Sequence, residues 1–247
     1  MPGEAARGIF GLLGFNSLHS VKSVNSTDVS PCPACRMNPV LELLDVACAR
    51  GSRRLFSGVS LKLQPGQLLR VEGANGAGKT SLLRMLCGLI EPTEGQILWR
   101  GEKVNQSREQ FGQDLIYLGH AAALKDELSP IENLHIACTL AGQATSIPDV
   151  RLALLDAGLR GHENTPVRRL SQGQRKRSAL ARLVMSNACA QLTPLWVLDE
   201  PFNALDSTAT AWLTGLMQAH LQRSGMVILT SHQSVPLGNT PQQVLTL

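Results

Sequence analysis

Gly73-Ala74-Asn75-Gly76-Ala77-Gly78-Lys79-Thr80 fits the template G-x-x-x-x-G-K-[ST] and decides how the rest of the chain is read. The flanks have the order the template needs. Gln67 to Glu72 reads as a strand running into the segment, and Thr80 to Leu89 carries Leu82, Leu83, Leu86 and Leu89 at helical spacing. Gly73, Gly76 and Gly78 permit backbone angles that a side chain forbids. Successive N–H groups can therefore turn inward around an anion at a helix N-terminus. Lys79 is expected to reach the β- and γ-phosphates of a nucleoside triphosphate, with Thr80 offering its hydroxyl to Mg²⁺ and Ser81 completing the nucleotide-binding run. A plain glycine turn with a surface lysine would not need a strand before it and an amphipathic helix after it.

Downstream, Leu195-Trp196-Val197-Leu198 is a short apolar run of the kind shown by a strand covered on both faces, and it stops at Asp199-Glu200. In open α/β sheets ligands sit at that end of the strands. Asp199 is then placed for Mg²⁺ and Glu200 to polarise the water that attacks the γ-phosphate. A core strand capped by solvated acids would explain the pair alone, but not its position downstream of a phosphate loop. Between the two lies Leu170-Ser171-Gln172-Gly173-Gln174.

These three segments, in this order, resemble the ABC ATPases, and the resemblance runs from Leu41 to Leu247. It implies a P-loop α/β fold whose mixed, mostly parallel sheet core carries an inserted helical subdomain at about residues 120–190. It also implies that Ser171, Gln172, Gly173 and Gln174 form the signature, with Ser171 and Gly173 contacting the γ-phosphate held by a second copy. Asn203-Ala204-Leu205-Asp206 resembles the loop that crosses the dimer interface. His232, after the apolar strand Met226 to Leu229, resembles the histidine that contacts the γ-phosphate.

Three positions depart from the family pattern. Gln172 stands where glycine is usual, at a position whose side chain can point outward. His120, in Ile116-Tyr117-Leu118-Gly119-His120, stands where a glutamine normally serves Mg²⁺ and the membrane partner, and imidazole is a poor ligand for an ion that prefers oxygen. Arg50 takes the place of the aromatic residue that stacks on adenine. A guanidinium can stack on a base, but losing an aromatic platform costs roughly 1–3 kcal/mol of nucleotide affinity.

The departures narrow the resemblance. Tyr117-Leu118-Gly119-His120, then Leu124-Lys125-Asp126-Glu127-Leu128-Ser129 and Glu132-Asn133-Leu134, is similar to the ATPases of haem exporters for cytochrome c maturation. Phe202 after Asp199-Glu200-Pro201, the Leu55 to Ser60 opening and Ile228 to Gln233 agree with that family. It implies ATP and Mg²⁺ as cofactors, integral membrane subunits as partners, and haem or a haem chaperone as an indirect partner. The expected location is peripheral, on the cytoplasmic face of the inner membrane. Two other readings stay open: an ABC ATPase of a soluble assembly machine such as iron–sulfur scaffold loading, and a non-catalytic module switched by ATP. Retention of Glu200 and His232 speaks against the second.

Composition excludes less. The chain has 247 residues, 43% of them hydrophobic, with no apolar run long enough to span a bilayer, so a transporter ATPase must borrow its membrane part. A net charge of +4 is compatible with nucleic acid, yet the basic residues are scattered instead of gathered on an aromatic-studded face, so no nucleic-acid partner is expected. Arg175-Lys176-Arg177 reads as a solvated helix face. Residues 1–40 lack periodicity and read as a disordered extension or a misplaced start, with Met37 the candidate initiator. Ile9 to Phe15 fails as a secretory signal because Glu4 sits in the leading region, Gly11 and Gly14 interrupt the core, and no small-residue cleavage site follows. Cys32-Pro33-Ala34-Cys35 has zinc spacing but no second pair, and Cys48, Cys87, Cys138 and Cys189 read as small buried hydrophobes in a reducing cytosol. Helices are expected over Ile131 to Leu140, Val150 to Gly158 and Ser171 to Ser186. With one phosphate loop per chain, two chains are needed to make a working pair of sites.

Overall fold

The computed structural model describes residues 40–189, 193–231 and 240–247. The Met37 start, the Cys32 and Cys35 pair and His232 lie outside these residues.

In chain order the elements are β1 (Leu41–Arg50), β2 (Arg53–Leu63), β3 (Leu68–Glu72), α1 (Lys79–Leu86), β4 (Glu94–Trp99), β5 (Glu102–Lys103), α2 (Arg108–Gln113) and β6 (Leu115–Leu118). Then come α3 (Pro130–Leu140), α4 (Ile147–Asp156), α5 (Gln172–Ala188), β7 (Leu195–Leu198), α6 (Ser207–Gln222), β8 (Met226–Thr230) and β9 (Gln242–Thr246). Among the described residues the strands divide between two sheets. β6-β7-β8-β3-β9 pair in parallel throughout, whereas β2-β1-β4-β5 are antiparallel. The strand character that a single mixed sheet would combine is thus segregated: consecutive strands β1–β2 and β4–β5 form hairpins in one sheet, while helix-linked β6, β7 and β8 run parallel in the other.

The parallel sheet is covered on both faces, and its inner strands show it by strict alternation. Leu195 and Val197 of β7, Met226 and Ile228 of β8, and Leu69 and Val71 of β3 face one cluster shared with α1 and the antiparallel sheet. Trp196, Leu198, Val227, Leu229 and Leu68 face a second, shared with α5 and α6. A period of two with apolar residues at every position leaves no solvated face, which is why Leu195–Leu198 is buried at all four positions. β1 carries an irregularity after Leu44, where Asp45 takes φ 53, and β4 crosses it at Gly95. An added Cβ there would lie 2.3 Å from the Asp45 carbonyl oxygen, so only glycine lets the strands meet.

A third cluster joins Ile131, Leu134 and Cys138 of α3, Val150 and Leu154 of α4, and Ala181 and Met185 of α5. Each of these helices begins with a serine whose hydroxyl and a side chain three residues on cap each other's backbone N–H groups. The pairs are Ser129 with Glu132, Ser146 with Asp149, and Ser171 with Gln174. α1 stops three residues before the expected Leu89, which is exposed, because Gly88 takes φ 67 after the last turn. Cys48, Cys87 and Cys138 are buried as expected, but Cys189 is only half-buried, since α5 ends at Ala188.

Candidate functional site

The phosphate loop is the link from the C-terminal end of β3 to the N-terminus of α1. Gly73, Gly76 and Gly78 have φ 146, 82 and 107, all in the region that side chains avoid. Sterics add to conformation at two of them. A Cβ on Gly73 would lie 2.7 Å from the Leu247 carbonyl oxygen, and one on Gly78 would lie 3.0 Å from the Phe56 ring of β2. Ala74, Asn75 and Gly76 are exposed at the tip. Lys79 is buried, and its Nζ donates to the carbonyl oxygens of Gly73 (2.7 Å) and Ala74 (3.2 Å), so the ammonium arches over the loop. Ser81 turns away toward the Cys48 thiol of β1, whose pKa burial raises and the Ser81 hydroxyl partly lowers.

Thr80 points the other way. Its Oγ1 donates to Asp199 Oδ2 at 2.9 Å, joining the loop to the acids at the end of β7, 119 positions on in sequence. Asp199 is 2% exposed. Its other oxygen, Oδ1, accepts from Thr230 Oγ1 at 2.8 Å, and the Glu200 backbone N–H donates to the same hydroxyl at 2.7 Å. Glu200 itself takes φ 48, an uncommon conformation for a residue with a side chain. Its Oε2 accepts from the Asn203 amide, and His120 Nδ1 stands 3.2 Å from that oxygen with the ring largely exposed. Lys79, Thr80, Asp199, Glu200 and His120 thus form one constellation at the C-terminal ends of β3, β6 and β7. The sequence gives Thr230 no role, because its hydroxyl meets the acids only through the pairing of β8 with β7.

The signature forms a second centre. Ser171 caps α5, accepting from Gln174 N–H at 3.2 Å, while Gln174 Oε1 accepts from Ser171 N–H at 2.9 Å. Ser171 and Gln172 are exposed at the positive end of a 17-residue helix, a setting that favours an anion. Gly173 lies against the following loop: an added Cβ would be 2.9 Å from the Ala204 carbonyl oxygen. Ala204 has φ 63, and Asp206 caps α6 through Ala209 N–H at 2.7 Å. These hydrogen bonds tie the signature to its own helix and not to the phosphate loop. Arg50 ends β1 exposed at the hairpin, opposite Arg53.

The basic run after the signature is not one solvated face. Arg175 pairs with Asp126 at 3.1 Å, and Arg177 lies against Gly158. Lys176 is half-buried facing the acidic pair. Burial pushes its pKa down, and the charges of Asp199 and Glu200 pull it back in part. Helical rotation of about 100° per residue sends three neighbours in three directions.

The oxygen donors fit a hard divalent cation. Thr80 and Asp199 converge on one point, a hydroxyl beside a carboxylate. That combination suits Mg²⁺, which takes one or two protein oxygens and completes its shell with phosphate and water. Among the described residues no helix is long and apolar enough to cross a membrane.

The sequence pattern of the ABC transporter family matches residues 56–203. The cytochrome c biogenesis ATP-binding export protein CcmA of Dechloromonas aromatica is 50% identical, over 79% of this chain and 94% of that protein. CcmA of Methylococcus capsulatus is 49% identical, over 76% and 88%. Among solved structures, an ATP-binding subunit of an ABC transporter superposes with TM-score 0.72 at 22% identity, covering 83% of this chain and 85% of that one. A dimeric ATP-binding cassette in a post-hydrolysis state with ADP and Pi gives 0.70 at 22%, covering 84% and 94%. The fold, the order of the motifs and the close relatives agree: the chain belongs to the ABC transporter ATPases, in the family of the cytochrome c biogenesis ATP-binding export proteins.

Proposed function

We propose that the chain is the ATP-hydrolysing subunit that powers haem export, or handover of haem to a chaperone, in c-type cytochrome biogenesis. Two copies sandwich two ATP molecules, each site taking its phosphate loop from one copy and Ser171 and Gly173 from the other. The observation that carries this is the Thr80–Asp199 hydrogen bond, which brings the phosphate loop and the acidic pair to one point. Support for the trans role is the exposed N-terminus of α5, where Ser171 and Gln174 cap each other.

In this reading the N–H groups of Gly73 to Gly78 cradle the phosphates, and Lys79 leaves the loop carbonyls for the β- and γ-phosphates. Arg50 stacks on the base. Thr80 and Asp199 would hold Mg²⁺, whose charge would neutralise the phosphates. Glu200 polarises the attacking water, and His232 contacts the γ-phosphate. Loss of that phosphate lets the dimer open, and the loop carrying His120 passes the motion to integral membrane subunits. The protein then sits peripherally on the cytoplasmic face of the inner membrane. That the relatives are cytochrome c biogenesis ATP-binding export proteins favours this over an assembly ATPase of the iron–sulfur type or a non-catalytic switch.

Deleting the gene and staining for covalent haem tests the substrate. Loss of haem from c-type cytochromes, restored by the wild-type gene and not by Glu200→Gln, is expected. Normal cytochromes in the deletion strain would leave a generic ABC ATPase.

A further inference from the structure

β8 is apolar and buried from Met226 to Leu229, and then ends in the hydroxyl of Thr230, itself fully buried. The direction of its two hydrogen bonds follows from the chemistry of the partners. A backbone N–H can only donate, so Glu200 N–H must give its proton to Thr230 Oγ1 at 2.7 Å. The single hydroxyl proton then goes to Asp199 Oδ1 at 2.8 Å. One side chain thereby fixes two things at once. It occupies one oxygen of the buried Asp199 carboxylate, leaving Oδ2 toward Thr80. It also holds the backbone of Glu200 in a conformation, φ 48, that a residue with a side chain does not adopt by preference.

We propose that Thr230 is a positioning residue for hydrolysis, setting Asp199 toward the cation and Glu200 toward the attacking water through its one hydroxyl. The inference rests on the roles given above to those two acids. Valine has the shape of threonine without the hydroxyl, so Thr230→Val removes both bonds with little change in packing.

The test uses the purified full chain and measures kcat, KM for ATP, half-saturation by Mg²⁺, and binding of a fluorescent ADP analogue with and without Mg²⁺. Thr230→Val is expected to lower kcat about 10- to 100-fold, the range for a hydrogen bond to a charged group, with KM for ATP changed by less than about 3-fold. Half-saturation by Mg²⁺ should rise about 10-fold or more by the same loss. Binding of the ADP analogue without Mg²⁺ should stay put, and Thr230→Ser should restore kcat and half-saturation by Mg²⁺. If Thr230→Val does not fold, Thr230→Cys replaces it, with similar volume and a weak donor. A valine variant with wild-type kcat and Mg²⁺ dependence overturns the proposal. So does an equal fall in valine and serine variants, or a parallel loss of Mg²⁺-free nucleotide binding, since each would mean packing alone. Asp199→Asn and Glu200→Gln are measured beside them. If those two turn over normally, the assignment of the acids fails; if they are inactive while Thr230→Val is normal, Thr230 alone is excluded.

Discussion

Lowering the pH from 7.5 to 5 should weaken the fold through one buried imidazole. His220, near the C-terminus of α6, is 0% exposed and stacks on Trp196 at 3.8 Å. Burial pushes its pKa from 6.5 down to about 4; nearby Arg223 pushes the same way, and the backbone at Met226 and Pro194 offsets this only in part. The unfolded chain therefore binds a proton in the window from about 6.5 to 4 that the folded chain refuses, so stability rises with pH there and is lost as pH falls. The full difference is worth about 3 kcal/mol, of which about 2 kcal/mol should be gone by pH 5. Gly225 lies against the same ring and leads directly into β8. The assay is urea unfolding at a series of pH values for the wild type and His220→Phe, which keeps a flat ring on Trp196. Carboxylates titrate in both proteins, so the difference in slope isolates the imidazole. A wild type whose unfolding free energy is level from pH 7.5 to 5, or a phenylalanine variant with the same slope, would refute the reasoning.

Lys79→Ala should reduce ATP turnover roughly 10²- to 10³-fold, as for loss of one preorganised electrostatic donor, and phosphate-release kinetics would show it. Glu200→Gln should keep ATP binding while trapping dimers on size exclusion with ATP and Mg²⁺; unchanged turnover would count against its role. Gly173→Ala brings a methyl to 2.9 Å from the Ala204 carbonyl oxygen, and should impair ATP-driven dimerisation while leaving ADP binding by the single chain unaltered.

Much of this site is legible in order along the chain. A phosphate loop needs glycines at set positions, a lysine and a hydroxyl in consecutive places, because one turn of backbone wraps one anion. The strand before it, the helix after it and the buried run ahead of Asp199 follow from local periodicity, and the capped helices from serine with an acid or amide three residues on. Local rules miss what depends on neighbours across a sheet. Thr230 reads as one more β-branched residue ending an apolar strand, and only the parallel pairing of β7 with β8 sets its hydroxyl against the acids. His120 was a departure from a family pattern until the fold put its ring on Glu200. The run Arg175 to Arg177 looked solvated because its partners Asp126 and Asp199 come from distant segments.

Residue type and spacing alone therefore settle which chemistry the chain carries, since an anion cradle and a signature are built within a few bonds of backbone. Which carboxylate oxygen faces which hydroxyl, where the imidazoles of His120 and His220 end up, and how the strands divide between two sheets come from packing. Those contacts join residues tens to more than a hundred positions apart, and their energies exist only once the layers have closed on one another.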